Sequence, residues 1–135
     1  MTLMITGCTG HVGFALSNLL KNYYKENIYL NLRNKKKINF FQKNFDNFIF
    51  TDLLYDKIII PPSVTTIINL AFITPNINKY NFESNIKINE NLIYSIRKHG
   101  QIKKIINFSS MAIYSQLQDQ KSVNEKVYKY SNNEY

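Results

Sequence analysis

Near the start of the chain, Thr6-Gly7-Cys8-Thr9-Gly10-His11-Val12-Gly13 is the stretch whose residue types and spacing point most directly to chemistry. It follows a short apolar run, Leu3 to Ile5. It leads into Val12, Ala15, Leu16, Leu19 and Leu20, whose spacing predicts a helix with one buried face. A strand that turns through glycines into a helix makes a cradle for phosphate. The first glycine permits the tight turn, the second lets a pyrophosphate approach the backbone, and the third lets helix and strand pack closely. The new helix offers unpaired N–H groups and its positive dipole end to the phosphates. The cofactor-binding candidates here are Gly7, Thr9, Gly10, His11, Val12 and Gly13. The spacing is G-x-x-G-x-x-G, without the Gly-Lys-Ser/Thr of a P-loop. Cys8 reads as a small filler rather than a reactive thiol. His11 reads as a partly exposed, replaceable side chain, with a contact near the phosphates as the alternative.

The elements that must position this loop alternate between short apolar runs and longer helical patterns, as in βαβ units on a parallel sheet. Ile28 to Leu32 is a second strand, Lys35 to Phe45 a short helix or loop, and Phe48 to Phe50 a third strand ending at Thr51-Asp52-Leu53. Ile58 to Ile60 runs into Pro61-Pro62 and reads as a connector. Thr66 to Leu70 is a buried fourth strand, and residues 72–82 read as a loop. Ile86, Ile88, Leu92, Ile93 and Ile96 predict a long helix closed at His99-Gly100, with Ile105 to Phe108 the fifth strand. The fold class expected is α/β, a doubly wound parallel sheet in strand order 3-2-1-4-5, forming one domain over residues 1–135.

The glycine spacing resembles the extended branch of the short-chain dehydrogenase/reductase family, the NAD(P)-dependent epimerases and dehydratases. Further stretches match that family in order. Asp52-Leu53 resembles its adenine-contacting pair, and Asn69-Leu70-Ala71 its segment beside the cofactor. Asn85-Ile86 with Asn91-Leu92-Ile93 resembles its active-site helix motif, and Ser109-Ser110-Met111-Ala112-Ile113-Tyr114 the segment whose second serine is catalytic. The resemblance thus adds Asp52, Leu53, Leu70, Ala71 and Asn85 to the cofactor-binding candidates. Asp52 as a turn former and Asn85 as a helix cap remain alternatives.

In this family a serine or threonine acts with a tyrosine and a lysine spaced Y-x-x-x-K. A hydride moves at carbon while a proton moves on the attached oxygen, so a nearby phenol serves as acid or base. A free phenol has a pKa near 10, and a neighbouring ammonium lowers it. The resemblance implies catalytic roles for Ser110 and for Tyr135, which lies 25 positions later; Val123-Asn124-Glu125 resembles the family's approach to that tyrosine. Tyr128 and Tyr130 compete, but Asn132 and Glu134 stand where their lysines would be. The lysine for Tyr135 would fall beyond the last residue. The expectation is therefore a chain whose C-terminal part, with the substrate-binding region, is missing and which is inactive alone.

The second strand ends Asn31-Leu32-Arg33. Leucine stands where an acid would bind the ribose 2′-OH of NAD, and the Arg33 guanidinium can pair with a 2′-phosphate. NADP is the favoured cofactor, with NAD as the other option and Arg33 as the specificity candidate. Solvated surface charge is the alternative for Arg33 and Lys35.

Composition bounds the rest. The chain has 135 residues, 44% of them hydrophobic and 19% charged, with a formal charge of +8. The lysines are spread along the chain and accompany heavy use of Asn, Ile, Phe and Tyr, so the charge reads as compositional and nucleic acid is not an expected partner. No apolar run is long enough for a membrane span, no secretory leader is seen, and the lone cysteine suits a cytoplasmic protein. Two histidines and one cysteine, widely spaced, give no metal site. The implied substrate is a nucleotide sugar, acted on by an epimerase, dehydratase or reductase, and a homodimer is left open. Two other readings stand beside it: a non-catalytic NADP-binding regulator, and an inactive gene fragment.

Overall fold

The computed structural model describes residues 1–24, 27–73 and 82–108. Along the chain run β1 (Leu3–Thr6), α1 (His11–Tyr24), β2 (Ile28–Leu32), a 3-10 helix (Lys35–Phe40), β3 (Phe48–Phe50), β4 (Thr66–Asn69), α2 (Phe82–His99) and β5 (Lys104–Asn107). All strand pairs are parallel, in the order β3-β2-β1-β4-β5. This is the Rossmann-like α/β sheet expected from the alternation of strand and helix patterns.

Parallel strands covered on both faces carry apolar side chains at every position, and β1 is buried throughout. Its alternate residues feed two cores. Leu3 and Ile5 join Ile28, Leu30, Leu32, Phe41, Phe45 and Ile68, against which Leu16 and Leu20 of α1 pack. Met4 joins Ile67, Leu53, Ile58, Val64, Ile88 and Leu92 on the α2 side. Residues 35–45, left between helix and loop by the sequence, form the 3-10 helix and a turn that buries Phe41 and Phe45. Asn34 caps it, its side chain accepting from the Lys36 amide at 3.1 Å.

In both helices part of the apolar stripe that the sequence predicts faces outward, while Leu16 and Leu20 of α1 and Ile88, Leu92 and Ile96 of α2 pack inward. In α1, Gly13 and Ser17 are buried, Ala15 is exposed, and Val12 and Leu19 are each 55% exposed. The cause is proximity: a Cβ at Gly13 would stand 2.3 Å from the Gly7 carbonyl oxygen. Only the smallest side chains fit at that approach, so the Gly13–Ser17 line faces the loop and the larger Val12 and Leu19 rotate outward.

In α2 the buried side is Ser84, Asn85, Ile88, Asn91, Leu92 and Ser95, while Ile86 and Ile93 are exposed. Its polar members are hydrogen-bonded, which removes the cost of burying them. Asn91 Nδ2 donates to the Leu53 carbonyl at 2.8 Å, and Ser95 donates to the Asn91 carbonyl at 2.9 Å. Ile88 and Leu92 point inward as expected, and Gly100, at φ 71°, closes the helix. β5 is exposed along its whole length among the described residues.

Cys8 is buried in the α1-side core, and its thiol donates to the Asn31 carbonyl at 3.2 Å. Burial pushes its pKa up from 9.0 to about 12. The thiol is therefore neutral at ordinary pH, as befits a filler residue.

Two outcomes follow from this packing. Asn91→Ala leaves the buried Leu53 carbonyl without its donor and should lower unfolding free energy by about 1–3 kcal/mol, measured in urea with an unchanged m value. An unaltered midpoint would show that the tie between α2 and the β3 turn contributes nothing. For Cys8, thiol reagents at pH 8 should label the protein only once it is denatured. Because the folded pKa lies above the unfolded one, the native state keeps a proton the unfolded chain loses. Stability should therefore fall as pH rises above 9.0, and Cys8→Ala should remove that part of the slope.

Candidate functional site

The carboxyl ends of β1, β2, β3 and β4 converge on a cleft of about 350 Å³. It lies at the switch point of the sheet, where the chain leaves β1 toward β2 on one side and β4 continues on the other. The turn out of β1 forms one wall. Gly7 sits at φ 67°, and a Cβ there would lie 2.3 Å from the Leu70 carbonyl oxygen and 2.6 Å from the Ala71 nitrogen. The loop therefore rests directly on the Leu70–Ala71 peptide, which only glycine allows.

Gly10 differs from its two neighbours in the motif. A Cβ at that position would meet only the Gly7 carbonyl oxygen, at 3.3 Å, and nothing else within 4 Å. The fold needs Gly7 and Gly13 for its own close contacts, whereas the space at Gly10 opens toward the cleft that Gly10 lines. That is the arrangement required where a phosphate must approach the backbone. α1 begins immediately after, at His11, with no acidic residue in its first turn to oppose an anion.

The structure gathers most of the sequence candidates around this cleft. Gly7, Thr9 and Gly10 line it from the loop, and Arg33 from the end of β2. Asp52, Leu53, Leu70 and Ala71 line it from the ends of β3 and β4. Four others are placed elsewhere. His11 is exposed as the first residue of α1, Val12 points outward, and Gly13 is taken up by the helix–loop contact. Asn85 is buried on α2, where its amide accepts from the Ile73 N–H at 2.8 Å and donates to the Ile73 carbonyl at 3.0 Å. It thus pins the chain leaving β4 rather than capping a helix. Ser110 and Tyr135 lie outside the described residues.

Asp52 also forms the turn that follows β3. Its carboxylate accepts from the Leu54 amide at 3.1 Å, and its carbonyl from the Tyr55 and Asp56 amides. Asn69, at the end of β4, holds the floor of the cleft. Its Oδ1 accepts from the Thr6 hydroxyl at 2.5 Å and from the Ala71 amide at 3.3 Å. Its Nδ2 donates to Asn107 Oδ1 at 2.7 Å and Asn89 Oδ1 at 3.2 Å. One side chain therefore joins β1, β4, β5 and α2.

Asn31 and Lys37 also line the cleft and were not singled out from the sequence. Asn31 was legible as the one polar residue within the apolar run of β2; its amide donates to the Thr51 carbonyl at 3.2 Å and holds the ends of β2 and β3 together. Lys37 was hidden in the Lys35–Lys37 run, because the sequence does not show which of the three lysines lines the cleft. A larger cleft, about 450 Å³, lies at the amino end of β2 between Lys21 and Asn44, away from the glycine loop. Among the described residues no cluster of His, Cys, Asp and Glu could hold a metal, and no helix is long and apolar enough to cross a membrane.

Solved structures share this architecture. The UDP-N-acetylglucosamine 4-epimerase of Bacillus cereus superimposes with a TM-score of 0.74 at 20% identity, covering 100% of this chain and 49% of that one. The UDP-glucuronic acid 4-epimerase of the same organism, in complex with NAD, gives 0.69 at 19% identity, covering 100% and 47%. A yeast methylglyoxal/isovaleraldehyde reductase complexed with NADPH gives 0.60 at 16% identity, covering 84% and 38%. The chain thus spans half or less of the length of each. No protein of curated function matches in sequence. The model of the NAD dependent epimerase/dehydratase family matches residues 3–135. A match running from the first strand to the last residue leaves one assignment: the chain belongs to the NAD dependent epimerase/dehydratase family.

Proposed function

We propose that the cleft binds a nicotinamide dinucleotide, NADP in preference to NAD, and that the whole protein is a cytoplasmic enzyme acting on a sugar carbon of a nucleotide-linked sugar. It would do so as an epimerase, dehydratase or reductase. The observation that carries the binding site is Gly10, a glycine that the fold itself barely needs, set at the mouth of the cleft beside the start of α1. In this reading Gly7, Thr9 and Gly10 take the pyrophosphate, and Asp52 with Leu53 takes the adenine end. Leu70 and Ala71 support the dinucleotide across the floor. His11, Val12 and Gly13 contribute the first turn of α1 and its dipole. Asn85 holds the entry to α2 through Ile73.

The preference for NADP rests on the end of β2. Leu32 is fully buried and offers a ribose hydroxyl no acceptor, while the exposed Arg33 guanidinium lines the cleft. Among the described residues Arg33 has no acidic partner, so its charge is available to a 2′-phosphate. The bound nicotinamide would supply hydride acceptance or donation. Ser110 is assigned to hydrogen-bond the substrate oxygen, and the Tyr135 phenol to exchange its proton. The nucleotide-sugar substrate follows from the family resemblance and from the names of the two Bacillus cereus epimerases.

Fluorescence titration separates the parts of this reading. Arg33→Ala should weaken NADPH binding about tenfold or more, as expected for losing a charge-assisted hydrogen bond, and leave NADH nearly unchanged. Equal affinities for NADPH and NADH in the unaltered chain would remove the NADP assignment. Gly10→Val should abolish binding of both, because the branched side chain occupies the path of the pyrophosphate. A folded Gly10→Val protein that still bound normally would displace the dinucleotide from this cleft.

A further inference from the structure

The lysine-rich composition explains how many cations the chain has, but not where the fold collects them. The 3-10 helix presents the sequence's only lysine triplet, Lys35 to Lys37, one residue beyond Arg33, and all four side chains are exposed. The Asn34 cap fixes this turn through the Lys36 and Lys37 amides, so the cations stand on an ordered backbone. Among the described residues the single ion pair is Lys87–Glu90, on α2, so no carboxylate neutralises the triplet.

Two aromatic rings lie among these charges. Phe40 is 61% exposed, with Lys37 Nζ 5.3 Å from its ring centroid. Phe50 is 38% exposed, with Lys35 Nζ 5.8 Å from its centroid and the Phe48 ring stacked at 6.4 Å. Exposed rings flanked by ammonium groups match a ligand of flat bases joined by phosphates. Bases can stack on such rings only when they are not already stacked in a duplex.

We propose that the Lys35–Lys37 turn, with Phe40 and Phe50, is a binding surface for single-stranded nucleic acid. The ammonium groups neutralise successive phosphates and the two rings take bases. Arg33 and Lys37 belong to both this surface and the cleft, so a strand bound here runs up to the dinucleotide site. The surface is continuous with a cleft whose residues suit a nucleotide, which favours nucleic acid over an anionic lipid surface.

The test is fluorescence anisotropy of the full chain with labelled oligouridylate and oligothymidylate of about 12 nucleotides. Binding should weaken steeply as salt is raised from about 50 to about 200 mM. Lys36→Glu and Phe40→Ala should each lower affinity about tenfold. Lys36→Gln should lower it less, and circular dichroism should confirm that all three variants fold. Neither Lys36 nor Phe40 lines the cleft, so NADPH titration of these variants should be unchanged. That readout separates failure of this proposal from failure of the dinucleotide reading. Lys57→Glu and Lys98→Glu, at a different cleft, should leave oligonucleotide binding intact. The two oligonucleotides together show whether the ribose 2′-hydroxyl contributes. The proposal is overturned by equal loss in the Lys57 and Lys98 variants, which would mean general charge attraction. It is also overturned by absence of binding at about 50 mM salt, or by Phe40-dependent binding to phosphatidylserine vesicles without binding to either oligonucleotide.

Discussion

The backbone of Gly7 lies so close to the peptide between Leu70 and Ala71 that a side chain at Gly7 would overlap it. This contact sets the distance between the end of β1 and the end of β4, the two strands that bound the switch point. Asn69 fixes the same junction through hydrogen bonds, gripping Thr6 on one side and the Ala71 amide just beyond. With that junction fixed, the start of α1 is held over the sheet by the Gly13–Gly7 approach. The cleft is the space left between these constraints and the ends of β2 and β3. Its shape thus depends on atoms that are missing, the glycine Cβ atoms, as much as on side chains that are present.

How legible this was in the sequence differs by element. β1, β2 and β4 could be read because the centre of a parallel sheet is buried on both faces and favours mainly apolar runs, whereas β3 and β5 were read from short apolar runs that the described structure leaves partly or wholly exposed. Their order follows from βαβ connections, and β1 to β4 show the register that such connections produce. Helix faces were harder. The outward Val12 and Leu19, and the outward Ile86 and Ile93, break the rule that the most apolar stripe faces in. In α1 a steric limit at Gly13 overrides hydrophobicity. In α2 the hydrogen bonds of Asn85 and Asn91 make amides suitable for the interior. Neither effect is visible in a periodicity, because both depend on which distant backbone atom the residue meets.

The candidate site shows the same division. Residues that act through the backbone, such as Gly7 and Gly10, could be found from spacing, since their job is to be small at a fixed place in a turn. Residues that act through a side chain reaching across the fold could not. Asn31 and Lys37 line the cleft because β2 continues into a capped 3-10 turn, and a run of three lysines does not itself reveal which one lines it. The family motifs supplied Asp52 and Asn85 as positions. The structure adds what holds each: Asp52 closes its own turn, and Asn85 clasps Ile73.

The framework around the cleft is built almost wholly from neutral amides and hydroxyls. Thr6, Asn69, Asn89 and Asn107 form one connected set, Asn85 and Asn91 tie α2 to the loops, and the single ion pair among the described residues stands apart on the outer part of α2. Carboxamides do not gain or lose protons in the ordinary range. These ties among strands and loops therefore carry no charge of their own, and the charged groups at this end are the Asp52 carboxylate, which closes the β3 turn, and Arg33 and Lys37 at the rim. The same dependence on amides creates a chemical vulnerability. Exchanging the Asn69 amide for a carboxylate would delete the two donations to Asn89 and Asn107 and set a buried charge beside Thr6, at the point where four elements meet.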